Sequence, residues 1–540
     1  MSLGLMTRYL LSIDQGTTGS TALVMGIDGR TLGRDSFELP QHYPAPAWVE
    51  HDPEEIWASV EQAVAGALRA AGVRGADIAA VGITNQRETT LLWDRASGRP
   101  IHRAIVWQDR RTAAECERLR AAGHEAEVAE RTGLVLDPYF SATKVAWLLD
   151  NCGARARAEA GELAFGTVDS FLIWRLAGGA EARAPHVMEV SNASRTSLMH
   201  LESGRFDERL CALFRVPRAV LPTIVPTTGQ VATTRGFAPL PDGIPITGVA
   251  GDQQAALFGQ ACFEPGAAKC TYGTGAFLVV NTGARRVKSH HGLLSTIAWQ
   301  IDGTTSYALE GSCFVAGAAV QWLRDGLGLI RSSAEVEALA RSVAGSDGVV
   351  FVPALSGLGA PHWDAEARGL ICGLTRGSNK GHIARATLEA IAFQVGELVA
   401  AIREDLAASR GEDVGDPALR GAGVAGRISD SLVRVSRIRV DGGAAQNNLL
   451  MQFQSDISDL CIERPLELES TARGAALLAG VGAGLFSSVS QVATLVEHPE
   501  RFESQMTETA RREHISSWQA AVRRTRSSVG AEQRVRHDVY

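Results

Sequence analysis

Apolar residues dominate positions 9–13, and the polar string Asp14-Gln15-Gly16-Thr17-Thr18-Gly19-Ser20 follows at once. A short apolar run bounded by turn residues reads as a buried strand. A second such run at 22–25, closed by Asp28-Gly29, reads as a strand entering a hairpin to a third. Then the period changes. Asp52 fits a helix N-cap, Pro53 the first helical position and Glu54-Glu55 the electropositive first turn. Ile56, Trp57, Val60, Val64 and Leu68 supply an apolar stripe at helical spacing. A buried strand at 78–84 and a hairpin through Leu91-Leu92-Trp93 come next. Strands alternating with helices predict an α/β protein. After about residue 260 the pattern restarts: strands at 269–272 and 277–281 flank Tyr272-Gly273-Thr274-Gly275, as the first pair of strands flanks its own turn. The two halves read as a distant repeat of one architecture. Residues 408–434, rich in Gly, Ala, Arg and Asp, lose apolar periodicity and read as a surface loop, and the chain beyond Arg523 as a basic tail.

Three strand-to-turn junctions share one form, an apolar strand followed by small and hydroxylic residues with glycine. They are Asp14-Gln15-Gly16-Thr17-Thr18, Thr271-Tyr272-Gly273-Thr274-Gly275 and Asp441-Gly442-Gly443-Ala444. Glycine lets the backbone approach a phosphate, and successive N–H groups with threonine hydroxyls satisfy its oxygens. An aspartate at a strand end can hold Mg²⁺ through water. Any one of these is more readily a plain tight turn, but three in this order are hard to reach by accident. Asp252, in Val249-Ala250-Gly251-Asp252-Gln253 after an apolar strand, is placed either to accept a proton from a substrate hydroxyl or simply to cap a helix. Arg87-Glu88 offers a cation and an anion side by side to a polyol, against the blander reading of a surface ion pair in a hairpin. Trp107 and Phe277 could cover a carbon chain or merely pack in the core. The GxGxxG spacing at 421–426 lacks a preceding strand and is set aside, and no GxxxxGK[ST] string occurs, so an ATP site here is not a P-loop.

At 540 residues the chain is long enough for two domains, and a net charge of −7 with mixed signs argues against a nucleic-acid protein. Eight scattered cysteines without a CxxC pair predict free, reduced thiols. No basic segment leads into an apolar run at the start, and the apolar stretch 474–486 is too short and glycine-rich to span a bilayer. A soluble, cytoplasmic enzyme is the expectation.

The strings themselves then point further. DQGTT at 14–18, ITNQRETT at 83–90, DPYFSATKVAWLLDN at 137–151, FGTVDSFLIWRL at 165–176, GDQQAALFGQ at 251–260, TYGTGAF at 271–277 and VDGGAAQNNLLMQFQSD at 440–456 resemble the FGGY carbohydrate kinases. Residues 140–151 and 373–389 are similar to the family's two signatures, and the likeness runs over about 9–518. The resemblance implies two actin-like, ribonuclease H-like α/β domains, 1–260 with the polyol and phosphate loop and 261–520 with the nucleotide site, ahead of a tail at 521–540. It puts the active site in the cleft between them. It implies ATP as donor, Mg²⁺ as cofactor, glycerol as acceptor and a homo-oligomer, dimer or tetramer. By the same resemblance the polyol should meet Arg87, Glu88, Tyr139, Asp252 and Gln253, with Trp107 and Phe277 as an apolar wall. Thr17, Thr18, Gly19, Thr274 and Gly317 should meet the phosphates, and Gln321, Gly443 and Asn447 the adenosine. Asp14 and Asp252 should flank Mg²⁺, with Asp252 as general base. There are departures. Thr21 stands where the family commonly has an arginine near the phosphates, and the loop 239–243 lacks the Gly-Thr-Arg by which some bacterial members bind fructose 1,6-bisphosphate. A pentulose kinase of the same family, or a non-catalytic polyol sensor, are the rival readings.

Overall fold

The structure is a computed structural model that describes residues 9–409, 433–497 and 500–527. The GxGxxG string and most of the expected loop at 408–434 lie outside the described residues. Two large sheets organise the chain. In the first, β1 (Tyr9–Gln15) runs antiparallel to β2 (Gly19–Gly26), which pairs with β3 (Thr31–Glu38). On its other side β1 is parallel to β4 (Ile78–Asn85), and β5 (Thr228–Thr233) and β6 (Pro245–Gly251) complete the order β5-β6-β4-β1-β2-β3. The central strands are covered on both faces, which is why they read as unbroken apolar runs, whereas edge strand β3 alternates.

The second sheet repeats the plan. β7 (Ala268–Tyr272) is antiparallel to β8 (Ala276–Gly283), just as β1 is to β2. The hairpin β9 (Leu294–Ile301) and β10 (Thr304–Cys313) adds through β10 to β8. β11 (Arg437–Asp441) and β12 (Cys461–Arg464) lie parallel beyond β7, with β13 (Glu500–Phe502) at the edge. The expected repeat is therefore real at the level of topology.

Helix α1 (Pro53–Ala71) starts where the sequence placed it, with the Asp52 side chain accepting from the Glu54 amide. Other helices used below are α2 (Ser141–Asn151), α3 (Asp252–Gly259), α4 (Gly317–Asp325), α5 (Lys380–Ala408), α6 (Asn448–Ser458), α7 (Ser470–Gly482) and α8 (Glu508–Thr525). Three expectations change. The strand Leu91–Asp94 pairs with the distant Leu163–Gly166 rather than closing a hairpin with β4, so Arg87 and Glu88 sit in a buried connection. Helix α8 continues to Thr525 with Trp518, Ala521 and Val522 buried, so residues 521–525 are packed structure and not tail. Helix α7, although late in the chain, covers β1, β4 and β6 of the first sheet and lies along α3.

That last packing is close enough to demand glycine. A Cβ on Gly82 would fall 2.0 Å from the Ala475 carbonyl oxygen, and one on Gly474 1.9 Å from that of Ala255. All eight cysteines are unpaired. Among the described residues no helix is long and apolar enough to cross a membrane. Gly82→Ala should lower stability by about 1–3 kcal/mol, the usual cost of overpacking. Gly345→Ala, where an added Cβ meets nothing within 4 Å, should not. Urea unfolding of the two variants checks this.

Candidate active site

The first glycine turn is closed by the Gly16 amide donating to Gly19 O at 2.9 Å, which leaves Thr17 and Thr18 at its tip. Thr17 is fixed from two sides: Trp107 Nε1 donates to its hydroxyl at 2.9 Å and Gln41 Nε2 to its carbonyl at 2.8 Å. Gln41 Oε1 accepts in turn from His51 Nε2 at 2.9 Å, and Gln86 Nε2 donates to His51 Nδ1 at 3.2 Å. This arrangement needs the neutral, Nε2-protonated ring, and burial, with His42 nearby, pushes the His51 pKa down to about 4.

The second turn is built alike, Gly273 N donating to Gly275 O at 2.9 Å. It is tied to the start of α4, where the Gly317 amide donates to Gly273 O at 3.0 Å, and a Cβ at Gly317 would fall 2.6 Å from that oxygen. The third turn abuts it: Gly442, at φ +85°, would place a Cβ 2.6 Å from Tyr272 O. Thr274 and Gly443 face solvent, and Gln321 is exposed on α4. Asn447 spends its side-chain oxygen capping α6, accepting from Leu450 N at 2.9 Å. The nucleotide residues expected from the second half thus share one ledge formed by two turns and a helix start.

Beneath lies a chain of buried charges. Arg87 donates to Glu310 through Nη1 at 2.5 Å and Nη2 at 2.9 Å, a two-pronged contact of the strong kind. Arg195 donates to the same Glu310 at 2.9 Å and, through Nε, to Glu88 at 2.7 Å. Burial alone would raise the Glu310 carboxyl, but the guanidiniums of Arg195 and Arg87 hold it down at about 2. Burial raises Glu88 from the usual carboxylate range. Residue 88 is held at φ +61°, and its carbonyl accepts from Ser141 Oγ at 3.0 Å at the start of α2. Over this layer Trp107 lies 5.6 Å from Tyr139 and 6.2 Å from Phe277, ring centre to ring centre. The Tyr139 hydroxyl is 3.5 Å from Arg87 Nη2.

Asp252 is the first residue of α3, with Gly251 in the cap position, so the plain N-cap reading fails. Its carboxylate remains 29% exposed while Arg87 Nε approaches Oδ1 at 3.2 Å and Gln253 Nε2 donates to Oδ2 at 3.0 Å. Asp14 stands at the end of β1. Burial, then the nearby Asp252 and Glu469 carboxylates, push it up to about 8, against the pull of Arg34. Thr21 is paired directly with Asp14 across β1 and β2, and its hydroxyl lies 2.9 Å from that of Ser36. Arg34, two residues along β3 from Ser36, meets Glu469 at 2.9 Å in a half-exposed pair.

The structure therefore brings Arg87, Glu88, Tyr139, Trp107, Phe277, Asp252 and Gln253 to one locus, with Thr17 joined to it through Trp107. Sequence reasoning missed Arg195, Glu310 and Lys269. A signal existed for Glu310: it is the one acid inside the buried half of β10, and a charge fully buried in a strand implies partners.

A twice-repeated strand–glycine turn–strand unit, with carboxylates at the strand ends and cations beneath, defines an actin-like α/β phosphotransferase. Residues 9–259 match the N-terminal domain and residues 268–483 the C-terminal domain of the FGGY family of carbohydrate kinases. The chain belongs to that family and is an ATP-dependent phosphotransferase with an alcohol group as acceptor. It is 52% identical to a glycerol kinase of Myxococcus xanthus over 96% of this chain and 99% of that one. It is 54% identical to a glycerol kinase of Aromatoleum aromaticum over 97% and 100%. The crystal structure of Plasmodium falciparum glycerol kinase with ADP superposes with a TM-score of 0.85 at 34% identity, covering 96% of this chain and 98% of the other.

The His51 environment makes a pH prediction. Its folded pKa is depressed to about 4, so the stability it contributes is present above the unfolded value near 6.5 and lost as pH falls from there towards 4. That stretch is worth about 3 kcal/mol at about 1.4 kcal/mol per unit. Unfolding free energies measured from pH 7 to 4 should fall accordingly, and His51→Gln should flatten the curve.

Proposed function

We propose that this protein transfers the terminal phosphoryl group of ATP to a terminal hydroxyl of glycerol, giving sn-glycerol 3-phosphate and ADP, the opening step of glycerol catabolism. The carrying observation is the buried Arg87–Glu88 pair beneath the Trp107, Tyr139 and Phe277 rings, with Asp252 beside it. Glycerol offers three hydroxyls and almost no apolar area. It is recognised by groups that donate and accept at fixed points: the Arg87 guanidinium and Gln253 carboxamide donate, and the Glu88 and Asp252 carboxylates accept. The relatives named above, glycerol kinases matched over nearly their whole length, support the same acceptor.

In this reading Asp252 removes the proton from the attacking hydroxyl. The freed oxygen forms a bond to the terminal phosphorus, and the bond to the bridging oxygen breaks with its electron pair staying on ADP. Thr17, Thr18, Gly19 and Thr274 offer hydroxyls and amides to the phosphates, Gly317 lets the backbone approach them without a side chain in the way, and Gln321, Gly443 and Asn447 border the adenosine. Asp14 and Asp252 are the residues that would hold Mg²⁺. The fit is good: Asp14 is pushed up to about 8 by burial and then by the Asp252 and Glu469 carboxylates beside it, a cluster of acids that a divalent cation would relieve. No three metal-ligating side chains converge among the described residues, which suits an ion that keeps water and phosphate as most of its ligands. When bound, Mg²⁺ supplies positive charge to the phosphate oxygens.

With threonine at position 21, we assign the positive charge beside the first phosphate turn to Arg34, whose exposed tether to Glu469 is weak. The acceptor itself is tested by a coupled assay with Mg·ATP and a panel of glycerol and pentuloses. A pentulose turned over faster than glycerol would make this a sugar kinase.

Asp252→Asn should fold and keep much of its glycerol affinity, yet lose about 10²-fold or more in turnover. A turnover within a few-fold of wild type would remove Asp252 from the base role. Thr21→Arg adds a cation directly opposite Asp14 and should tighten ATP and ADP binding, up to the ten- to hundred-fold or so that a charge-assisted hydrogen bond brings. The glycerol constant should stay within about two-fold. Titration calorimetry decides it, and Arg34→Gln should move nucleotide affinity the other way.

A further inference from the structure

Lys269 is the second residue of β7, fully buried, between Val279 on β8 and Arg439 on β11. Burial lowers its pKa, resisted by the charges of Asp441 and Asp252. Its ammonium donates to Thr271 Oγ1 at 2.9 Å and, in a very short contact, to Gln253 Oε1. The second bond has a consequence for the base. An ammonium has donors only, so the Gln253 atom facing it must be the carbonyl oxygen. That fixes which way the carboxamide points, and its N–H group is left directed at Asp252 Oδ2, 3.0 Å away. Oδ1 is meanwhile met by Arg87 Nε at 3.2 Å and by the Gln253 amide at 2.7 Å.

We propose that Lys269 is a positioning residue: acting through the Gln253 side chain, it aims the Asp252 carboxylate at the acceptor hydroxyl. The proposal rests on the reading of Asp252 as general base. Without the ammonium the carboxamide can turn over and present oxygen to oxygen, and Asp252 swings away from its line of attack. The relay also spans the two halves of the molecule. Asp252 and Gln253 open the helix that follows the first sheet, whereas Lys269 belongs to the first strand of the second. Correct aim of the base thus requires the second sheet to be docked, and turnover is tied to the arrangement that also brings the two glycine turns together.

A double-mutant cycle on the full-length enzyme tests it. Lys269→Met should reduce kcat by roughly ten- to a hundred-fold, the worth of a charge-assisted bond. ATP affinity should stay within two-fold, and Lys269→Arg should restore much of kcat. Gln253→Leu should lose kcat to a similar degree, and the double variant should be no worse than the poorer single one, because Lys269 acts only through Gln253. Losses that multiply, or a Lys269→Met kcat within two-fold of wild type, overturn the proposal. Should Lys269→Met fail to fold, Gln253→Glu takes its place. It keeps a partner for the ammonium but offers Asp252 no side-chain N–H, so it should melt no lower than wild type and still lose kcat; a wild-type kcat there is equally fatal. Asp252→Asn separates the two claims. If that variant turns over normally the base itself is misassigned, whereas its inactivity together with a multiplicative cycle removes Lys269 alone.

Discussion

Glu310 is the point on which the site turns. Its carboxylate lies in a strand of the second sheet and receives the guanidiniums of Arg87 and Arg195, both carried by the first half of the chain. Each of these charges is buried, and removing one partner from such a set leaves the others uncompensated, at a cost of about 3–5 kcal/mol. A single acid therefore holds two cations in place, and through them Glu88 and Asp252. The two halves of the molecule are joined by the groups proposed to grip the substrate, so the pocket exists only where both are present.

The same economy explains the rest of the architecture. One strand–turn–strand plan is used twice, each time closed by a glycine amide that donates back across the turn and leaves threonine at its tip. Glycine is needed where a turn or helix meets a carbonyl at distances no side chain allows, as at Gly317 and Gly442. Helix α7 crosses back from the second half to cover the first sheet, and it brings Glu469 towards Asp14 as it does so. Negative charge is thus concentrated at the strand ends, on Asp14, Asp252 and Glu469, where a divalent cation would neutralise it, and positive charge is kept below, on Arg87 and Arg195.

Much of this was written locally. The Asp52-Pro53 helix start, the strands either side of Asp14-Gln15-Gly16 and of Tyr272-Gly273-Thr274, and the restart after residue 260 are all products of interactions within a few residues. The sequence by itself also determined the family, because Arg87-Glu88, Asp252-Gln253 and the glycine turns stand in strings specific enough to be recognised. What it did not determine is which distant groups meet. Glu310, Arg195 and Lys269 lie outside every turn motif: Arg195 and Glu310 meet across 115 residues of chain, and Lys269 reaches out of the second sheet to Gln253 on the helix after the first. Only the tertiary structure decided that Leu91–Asp94 pairs with Leu163–Gly166, that α7 joins the first sheet and that Arg34 stands where Asp14 can feel it. The physical reason is that periodicity and capping report forces between neighbours in the chain, whereas buried charges are satisfied by whichever opposite charge folding delivers, and sequence spacing carries no record of that.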